Sequence, residues 1–397
     1  MNNSLITDAT NVVVAKNSFT TQTSSLTATT SIDESMMIRA KRQRYSLRGF
    51  LATMTSAFVL GVACSSAFAV KPSTNIDMNQ AGISGTWYDP AASGQGFVIS
   101  VTPNADGQGH AGYFGGWFTF ADHWSGEWYG QTLGSPMWLT LQGTTAATDP
   151  NYGVRLEIFD NDGRTGNFAA LPAVPASKLG YAYVSMTDCT HMHLHYTVQW
   201  RADFVDPQWL EMDLQRLMPN VACVDTQTPP AAIPGYRFSA AWYDPATSGQ
   251  GFAFEINPAV SSAPGWQALF GGWFTYAPVG ADQSQKGRRW YTLQGEVSWG
   301  YIELVLPAFL TGSDIGIYET SGGMFATPNS PGTLISRRRV GTANVRFGTS
   351  SGGQFASPFS CARAYVSYSF DAGENAGRSG EISLQRLGPA PESCGLW

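Results

Sequence analysis

The sequence predicts an all-β protein built from two tandem antiparallel up-and-down β-barrels of about eight strands each, with a β-sandwich as the alternative closure. Three observations predict it. An eleven-residue phrase occurs twice with ten identities, the segments after it alternate between apolar and polar residues, and four of the five cysteines form one pair in each half. Many short alternating segments in series are typical of an antiparallel meander.

Composition sets the first limits on function. The 397 residues suffice for two domains with full cores. Charged and aromatic residues are 13% each and there are 43 glycines, which argues against disorder and favours strands joined by tight turns. The net charge of −6 gives no basic field, so nucleic acid is excluded as a partner.

The N-terminus predicts export. Residues 1–35 are rich in Ser and Thr and patternless, which predicts a disordered extension. Residues 36–69 have the three parts of a signal peptide: a basic run, a short apolar run and the small residues Ala67 and Ala69. We expect cleavage after Ala69 and a secreted or periplasmic protein without a membrane segment.

The remaining cysteines agree with an oxidising compartment. Cys189 and Cys223 lie 34 residues apart in the first half, and Cys361 and Cys394 lie 33 apart in the second. Four cysteines allow three pairings, and the repeat favours Cys189–Cys223 with Cys361–Cys394, because equivalent positions should pair alike. Each bridge would add roughly 3 kcal/mol to stability by the chain-entropy model.

The repeat extends over a whole domain. It predicts a first barrel at residues 80–223, a linker at 224–234 and a second barrel at 235–397. Four blocks recur in the same order: WYDPAASGQGF with WYDPATSGQGF, YFGGWFTF with LFGGWFTY, WLTLQG with WYTLQG, and EMDLQRL with EISLQRL.

Alternation within these blocks predicts which side chains face each core. The segment GFVISV places Phe97, Ile99 and Val101 on one face. The matching segment GFAFEI places Phe254 on the core face and Glu255 opposite it.

The ends of each copy predict how a barrel closes. The first strand carries a tryptophan, Trp87 or Trp242, and the last carries an arginine, Arg216 or Arg386. An inward arginine stacked on the indole would tie the first strand to the last and add about 1–2 kcal/mol if desolvated.

The repeated phrase resembles a known repeat. W-Y-[DN]-P-x-x-S-G-x-G-F followed by F-G-x-W-[FY]-T-[FY] resembles a repeat of secreted proteobacterial proteins, which implies export and tandem β-domains and names no activity. GTWYDPAASGQGFVISV is also similar to the first strands of avidins, and lipocalins share the Trp-to-Arg closure. The avidin resemblance places biotin-contacting positions at Asp89 and Ser93. Asp replaces the avidin Asn and the Trp-to-Phe interval is two residues longer, so biotin binding is not carried over.

The phrase also predicts a ligand site. Asp-Pro and the glycines suit a turn, whereas the repeated Ser and Gln indicate a buried hydrogen-bond network or a ligand contact. The flat faces of two tryptophans would suit sugar rings. The candidate ligand-binding residues are Asp89, Ser93, Gln95, Trp117, Asp244, Ser248, Gln250 and Trp273.

Paired glycines interrupt the aromatic block of each copy. Gly115 and Gly116 match Gly271 and Gly272. Glycine weakens a strand unless something approaches its backbone closely. A bulge, a packed aromatic ring and a bound molecule all remain open as explanations.

A histidine row marks the first copy only. His191, His193 and His195 alternate on one strand face, about 6.6 Å apart, which makes them metal-ligand candidates. The second copy reads RAYVS at this place, so a solvent-facing polar row is the alternative interpretation.

Together these patterns predict a secreted, non-enzymatic protein that binds a glycan or another small amphipathic ligand, with no cofactor. One alternative is an extracellular hydrolase in domain one, using His123 or the histidine row. The other is a structural or surface-interaction protein without a small ligand.

Overall fold

A computed structural model gives the structure of the chain. It describes the following residues, without the side chains of 300–309: 76–92, 94–121, 133–161, 176–199, 209–225, 235–247, 249–278, 287–302, 306–323, 335–348 and 361–391. The predicted signal peptide, most of the linker, Ser93, His123, Ser248 and Cys394 lie outside these residues.

The described chain forms sixteen strands, eight in each half. The first half contains β1 Gly85–Tyr88, β2 Gly96–Thr102, β3 Gly112–Phe120, β4 Pro136–Asp149, β5 Gly153–Asp160, β6 Ser177–Asp188, β7 His191–Val198 and β8 Leu210–Arg216. The second contains β9 Ala240–Tyr243, β10 Gly251–Asn257, β11 Trp266–Tyr276, β12 Arg288–Ile302, β13 Leu306–Ser321, β14 Ser336–Phe347, β15 Arg363–Phe370 and β16 Ser379–Arg386.

Helical structure is limited to short 3₁₀ turns in the described part of the chain: Ala81–Ile83, Pro90–Ala92, Tyr236–Phe238 and Pro245–Thr247. Two of them precede the first strand of a barrel, and two lie inside the repeated phrase. No helix among the described residues has the length and apolar character to cross a membrane.

Each half closes into an antiparallel barrel, which confirms the predicted fold class. Strands pair with their sequence neighbours, and β1 pairs with β8 as β9 pairs with β16. Each closing pair sets the first-strand tryptophan opposite the last-strand arginine: Trp87 with Arg216, and Trp242 with Arg386. The meander order is what a series of hairpins produces.

The predicted cation–π closure is confirmed in both barrels. The guanidinium carbon of Arg216 lies 4.5 Å from the Trp87 ring centroid, and that of Arg386 lies 5.8 Å from Trp242. Arg216 also donates to the carbonyls of Ser84 and Gly82, at 2.9 and 2.8 Å. The last strand is therefore tied to the segment that precedes the first.

Side chains fill both barrel interiors, as the period-2 alternation predicts. The first core includes Phe97, Ile99 and Val101, and the second includes Phe252 and Phe254. Bulky inward residues leave a packed core in place of a lumen, as in other small barrels.

The disulfide framework is confirmed where the structure describes it. Cys189 and Cys223 are bonded, with their Cα atoms 5.5 Å apart. Cys361 is disulfide-bonded as well, and the predicted partner Cys394 lies outside the described residues.

The two barrels pack against each other through the outward face of the aromatic blocks. Phe118 of β3 stacks on Phe274 of β11, with ring centroids 4.4 Å apart and planes 7° apart. A Cβ placed on Gly116 would lie 1.7 Å from Phe274, and one on Gly272 would lie 1.7 Å from Phe118. The second glycine of each pair therefore makes room for a phenylalanine of the other barrel.

Two equivalent tryptophans also reach across the interface, and each donates a hydrogen bond to the backbone of the other barrel. Trp138 of β4 donates its indole N–H to the carbonyl of Thr275 at 3.1 Å. Trp290 of β12 donates to the carbonyl of Thr119 at 3.0 Å. Equivalent residues make equivalent contacts in both directions, so the interface has pseudo-two-fold character.

Two buried ion pairs also cross between the barrels. Arg288 of barrel 2 contacts Asp160 of barrel 1, and both side chains are buried. Glu255 of barrel 2, fully buried, lies 3.7 Å from Arg216 and accepts a 2.6 Å hydrogen bond from the Thr86 N–H. Burial raises the pKa of the Glu255 carboxyl, against the lowering effects of Arg216 and Thr86. The face predicted to lie opposite the core is thus buried by the neighbouring barrel.

The glycine pair supplies a matched test of the interface. We expect Gly116→Ala to lower the free energy of unfolding by roughly 1–3 kcal/mol, because the new methyl group overlaps Phe274. Gly115→Ala is the control, since its Cβ would meet Ile99 at an ordinary 3.5 Å, and alanine favours a strand over glycine by up to about 1 kcal/mol. Urea unfolding measures both, and equal stabilities would contradict the packing role of Gly116.

Candidate functional site: the barrel mouths

The repeated phrase forms the turn from the first strand to the second in each barrel. Its aspartates cap this turn: Asp89 accepts a hydrogen bond from the Ala91 N–H at 2.8 Å, and Asp244 accepts one from Ala246 at 2.9 Å. A side chain that bonds to the backbone two residues on is the usual role of Asp in a turn. One carboxylate oxygen of each of these two predicted ligand residues is therefore engaged within its own turn.

The glutamines join this turn to the aromatic block. Thr119 donates its hydroxyl to the Gln95 side-chain carbonyl at 2.7 Å, and Thr275 donates to Gln250 at 2.6 Å. Both threonines are fully buried. The repeated Gln thus belongs to a buried hydrogen-bond network, one of the two explanations that the sequence left open.

The predicted tryptophans point into the barrels. Trp117 stacks on Phe97 at 4.8 Å and meets Tyr196 edge-on at 5.2 Å. Trp273 stacks on Phe252 at 4.9 Å and meets Tyr368 edge-on at 5.1 Å. The same three-ring cluster is therefore built in both copies.

In barrel 2 these residues meet at one open end, the mouth of the barrel. A pocket of about 60 Å³ there brings together Asp244, Gln250 and Trp273, three of the four ligand residues predicted for this copy. The full lining is Asp244, Thr247, Gln250, Gly251, Phe252, Trp273, Tyr368, Glu381, Ile382 and Leu384.

Barrel 1 carries the same set of residues at the equivalent positions. Eight of the ten are identical there, namely Asp89, Gln95, Gly96, Phe97, Trp117, Tyr196, Glu211 and Leu214. The two differences are Ala92 for Thr247 and Met212 for Ile382.

Two further pairs of equivalent residues, tyrosines and glutamates, contribute to the mouths although the repeated phrase does not contain them. Tyr196 and Tyr368 occupy equivalent inward positions on β7 and β15, and Glu211 and Glu381 recur on the last strands. Their repetition was the available signal, but alternation does not show how far along the barrel axis a side chain lies.

Both mouth tyrosines keep their protons. Burial raises the pKa of Tyr196, and the charge of Asp89 adds to this effect. Burial likewise raises the pKa of Tyr368. Each mouth therefore presents a phenolic hydroxyl as a hydrogen-bond donor near the aspartate of the repeated phrase.

The histidine row lies on the outer face of β7, and each ring has an acidic neighbour. The Nδ1 atoms of His191 and His193 lie 2.8 Å from carboxylate oxygens of Asp188 and Asp213. His195 Nδ1 lies 3.6 Å from Glu211. Within the described ranges, no group of three or more His, Cys, Asp or Glu side chains is arranged to hold a metal ion.

His195 also belongs to an exposed aromatic stack. Its ring lies between Tyr152, at 4.8 Å and 12°, and Trp209, at 4.6 Å and 4°. Trp209 is 44% exposed. Burial lowers the pKa of His195 against the opposing charge of Glu211, so the ring stays neutral at physiological pH.

Comparison with protein-family models, with curated proteins and with solved structures found no match to this chain.

A double-mutant cycle tests the glutamine network. We expect Gln95→Leu to destabilise the protein by about 1–3 kcal/mol, because the buried Thr119 hydroxyl loses its acceptor. Adding Thr119→Val removes the stranded hydroxyl, so the double variant should regain part of that loss in urea unfolding. Strictly additive losses would contradict a direct Gln95–Thr119 interaction.

The aromatic stack makes a second prediction. An NMR titration of the ring protons should give His195 a pKa below the ordinary 6.5. Trp209→Ala should raise this pKa, because removing the indole exposes one face of the imidazole to water. A pKa that does not respond to Trp209→Ala would contradict desolvation by the stack.

Proposed function

We propose that this protein is a secreted or periplasmic, non-enzymatic binding protein with an equivalent ligand site at the mouth of each barrel. The observation that carries the proposal is the duplicated lining. Eight of ten mouth residues are identical between copies, although the loops differ in length. The Cys189–Cys223 disulfide and the signal-like residues 36–69 support export.

The chemistry of the mouth favours a ligand rich in hydroxyl groups. Asp244 offers a carboxylate acceptor, Tyr368 offers a donor, and the Trp273 ring forms an apolar wall. Sugars and other polyols present hydroxyls on one edge and C–H groups on a face, which match such a surface. A glycan or another small amphipathic molecule is therefore the proposed ligand class.

The pocket volume limits how the ligand is held. About 60 Å³ is far below the roughly 300–1,000 Å³ of a typical small-molecule site. Only the end of a ligand, such as one edge of a terminal sugar ring, enters the mouth, and the rest lies outside. Two weak sites on one chain would gain affinity by avidity for a ligand that spans both.

The paired tyrosines supply the test. A glycan array and native mass spectrometry should show saturable binding to the wild-type protein. The double variant Tyr196→Phe with Tyr368→Phe keeps both rings and removes both hydroxyls. We expect affinity to fall about tenfold per site, the effect of losing one hydrogen bond. Tyr318→Phe, a tyrosine outside the mouth lining, is the matched control and should bind as wild type.

The alternatives give different results in the same experiment. Binding unchanged in the double variant, or no saturable binding across the panel, contradicts the proposal. Early melting of the double variant in a protein that binds nothing favours a structural role. Turnover of glycoside or ester substrates by the wild-type protein favours the hydrolase.

A further inference from the structure

A second kind of pocket lies between the two barrels, and it shares Gln250, Gly251 and Phe252 with the lining of the barrel 2 mouth pocket. It has a volume of about 200 Å³. Trp138 and Phe114 line it from barrel 1, and Ala241 and Phe274 line it from barrel 2. Small-molecule sites occur preferentially at domain interfaces, with apolar walls and a few polar groups.

This pocket breaks the pseudo-two-fold relation of the barrels. Gly249 of barrel 2 lines it, and the hydroxyl of Tyr276 donates to the Gly249 carbonyl at 2.9 Å. The equivalent Gly94 of barrel 1 is covered by Ile335, whose Cγ2 atom would lie 2.7 Å from a Cβ on that glycine. Phe120 replaces Tyr276 in the first copy and has no hydroxyl. The two sides of the interface are therefore chemically different.

The lining selects the charge of a ligand. Among the described residues that line the pocket, none is charged. Polar groups come from the amides of Gln142, Asn161 and Gln250 and the hydroxyls of Thr140 and Tyr243. A side-chain amide both donates and accepts hydrogen bonds, whereas an ion in an uncharged and partly apolar site would lose hydration without a counter-charge.

We propose that the inter-barrel pocket binds a small neutral ring compound that carries both a hydrogen-bond donor and an acceptor. The volume, below that of typical drug-sized sites, fits a single ring with one polar substituent. The aromatic walls of Trp138 and Phe274 stack on the ring, and the amide of Gln142 at the exposed rim bonds to the substituent. The proposed ligand does not depend on the mouth residues Asp244 and Tyr368, which are absent from the lining of this pocket.

Three isosteric probes test the charge selection: benzamide, benzoate and benzamidinium. Ligand-observed NMR and calorimetry on the full chain should show saturable benzamide binding, with both ions at least tenfold weaker. Ala241→Leu adds three side-chain carbon atoms at the pocket wall and should weaken benzamide binding at least tenfold. The Tyr196→Phe/Tyr368→Phe variant should bind benzamide as wild type does, which separates this pocket from the mouths.

A substitution at the exposed residue Gln142 tests the proposal without disturbing a buried side chain. Gln142→Glu adds one carboxylate and should strengthen benzamidinium binding about tenfold while weakening that of benzoate. Gln294→Glu, at the equivalent position of the other copy, is the matched control and should leave all three probes unchanged. Absence of benzamide binding, equal binding of the three probes, or binding that survives Ala241→Leu overturns the proposal.

Discussion

The stacking of Phe118 on Phe274 is the contact around which both barrels are arranged. It requires the rings to approach the backbone of the opposing strand, and only a residue without a side chain permits this at Gly116 and Gly272. The stacked rings bury the outer faces of β3 and β11, which in an isolated barrel would meet water. Two barrels joined by a linker thereby acquire a shared apolar layer that is distinct from the core of each barrel.

The strands that make this contact also support the mouths. Alternate residues of β3 point to opposite sides, so Phe118 faces the other barrel while Trp117 and Thr119 face inward. Thr119 holds Gln95, which fixes the turn capped by Asp89. Because one strand carries the interface on one face and the mouth network on the other, a shift in the packing of the barrels would move the residues of the mouth.

Alternation and repetition were enough to predict much of the fold. The inward positions of Phe97 and Phe254, the Trp87–Arg216 closure and the Cys189–Cys223 bridge all depend on short-range pattern or on equivalence between copies. The sequence alone could not show why Gly116 must be a glycine. The ring that needs the space belongs to Phe274, about 158 residues away in the other barrel. A single sequence carries no signature of such a distant contact.

The mouths were predictable only in part, for a similar reason. The repeated phrase identified Asp244 and Gln250, but Tyr368 and Glu381 reach the same opening from strands more than a hundred residues later. The alternation along β15 shows that Tyr368 points into the barrel. It does not show how far the side chain lies from the mouth along the barrel axis. For Glu255, alternation correctly predicts the strand face on which the side chain lies. It does not predict that barrel 1 buries that face.

The aromatic contact uses equivalent residues of both barrels, whereas the buried ion pairs use different residues from each. Barrel 1 contributes Asp160 and Arg216, and barrel 2 contributes the complementary Arg288 and Glu255. The first copy has Pro136 where the second has Arg288, and Ser100 where it has Glu255. Two first barrels facing each other would thus bury four ions without counter-ions. A pair of first barrels is disfavoured in this way, because the second copy supplies charges that the first copy cannot supply to itself.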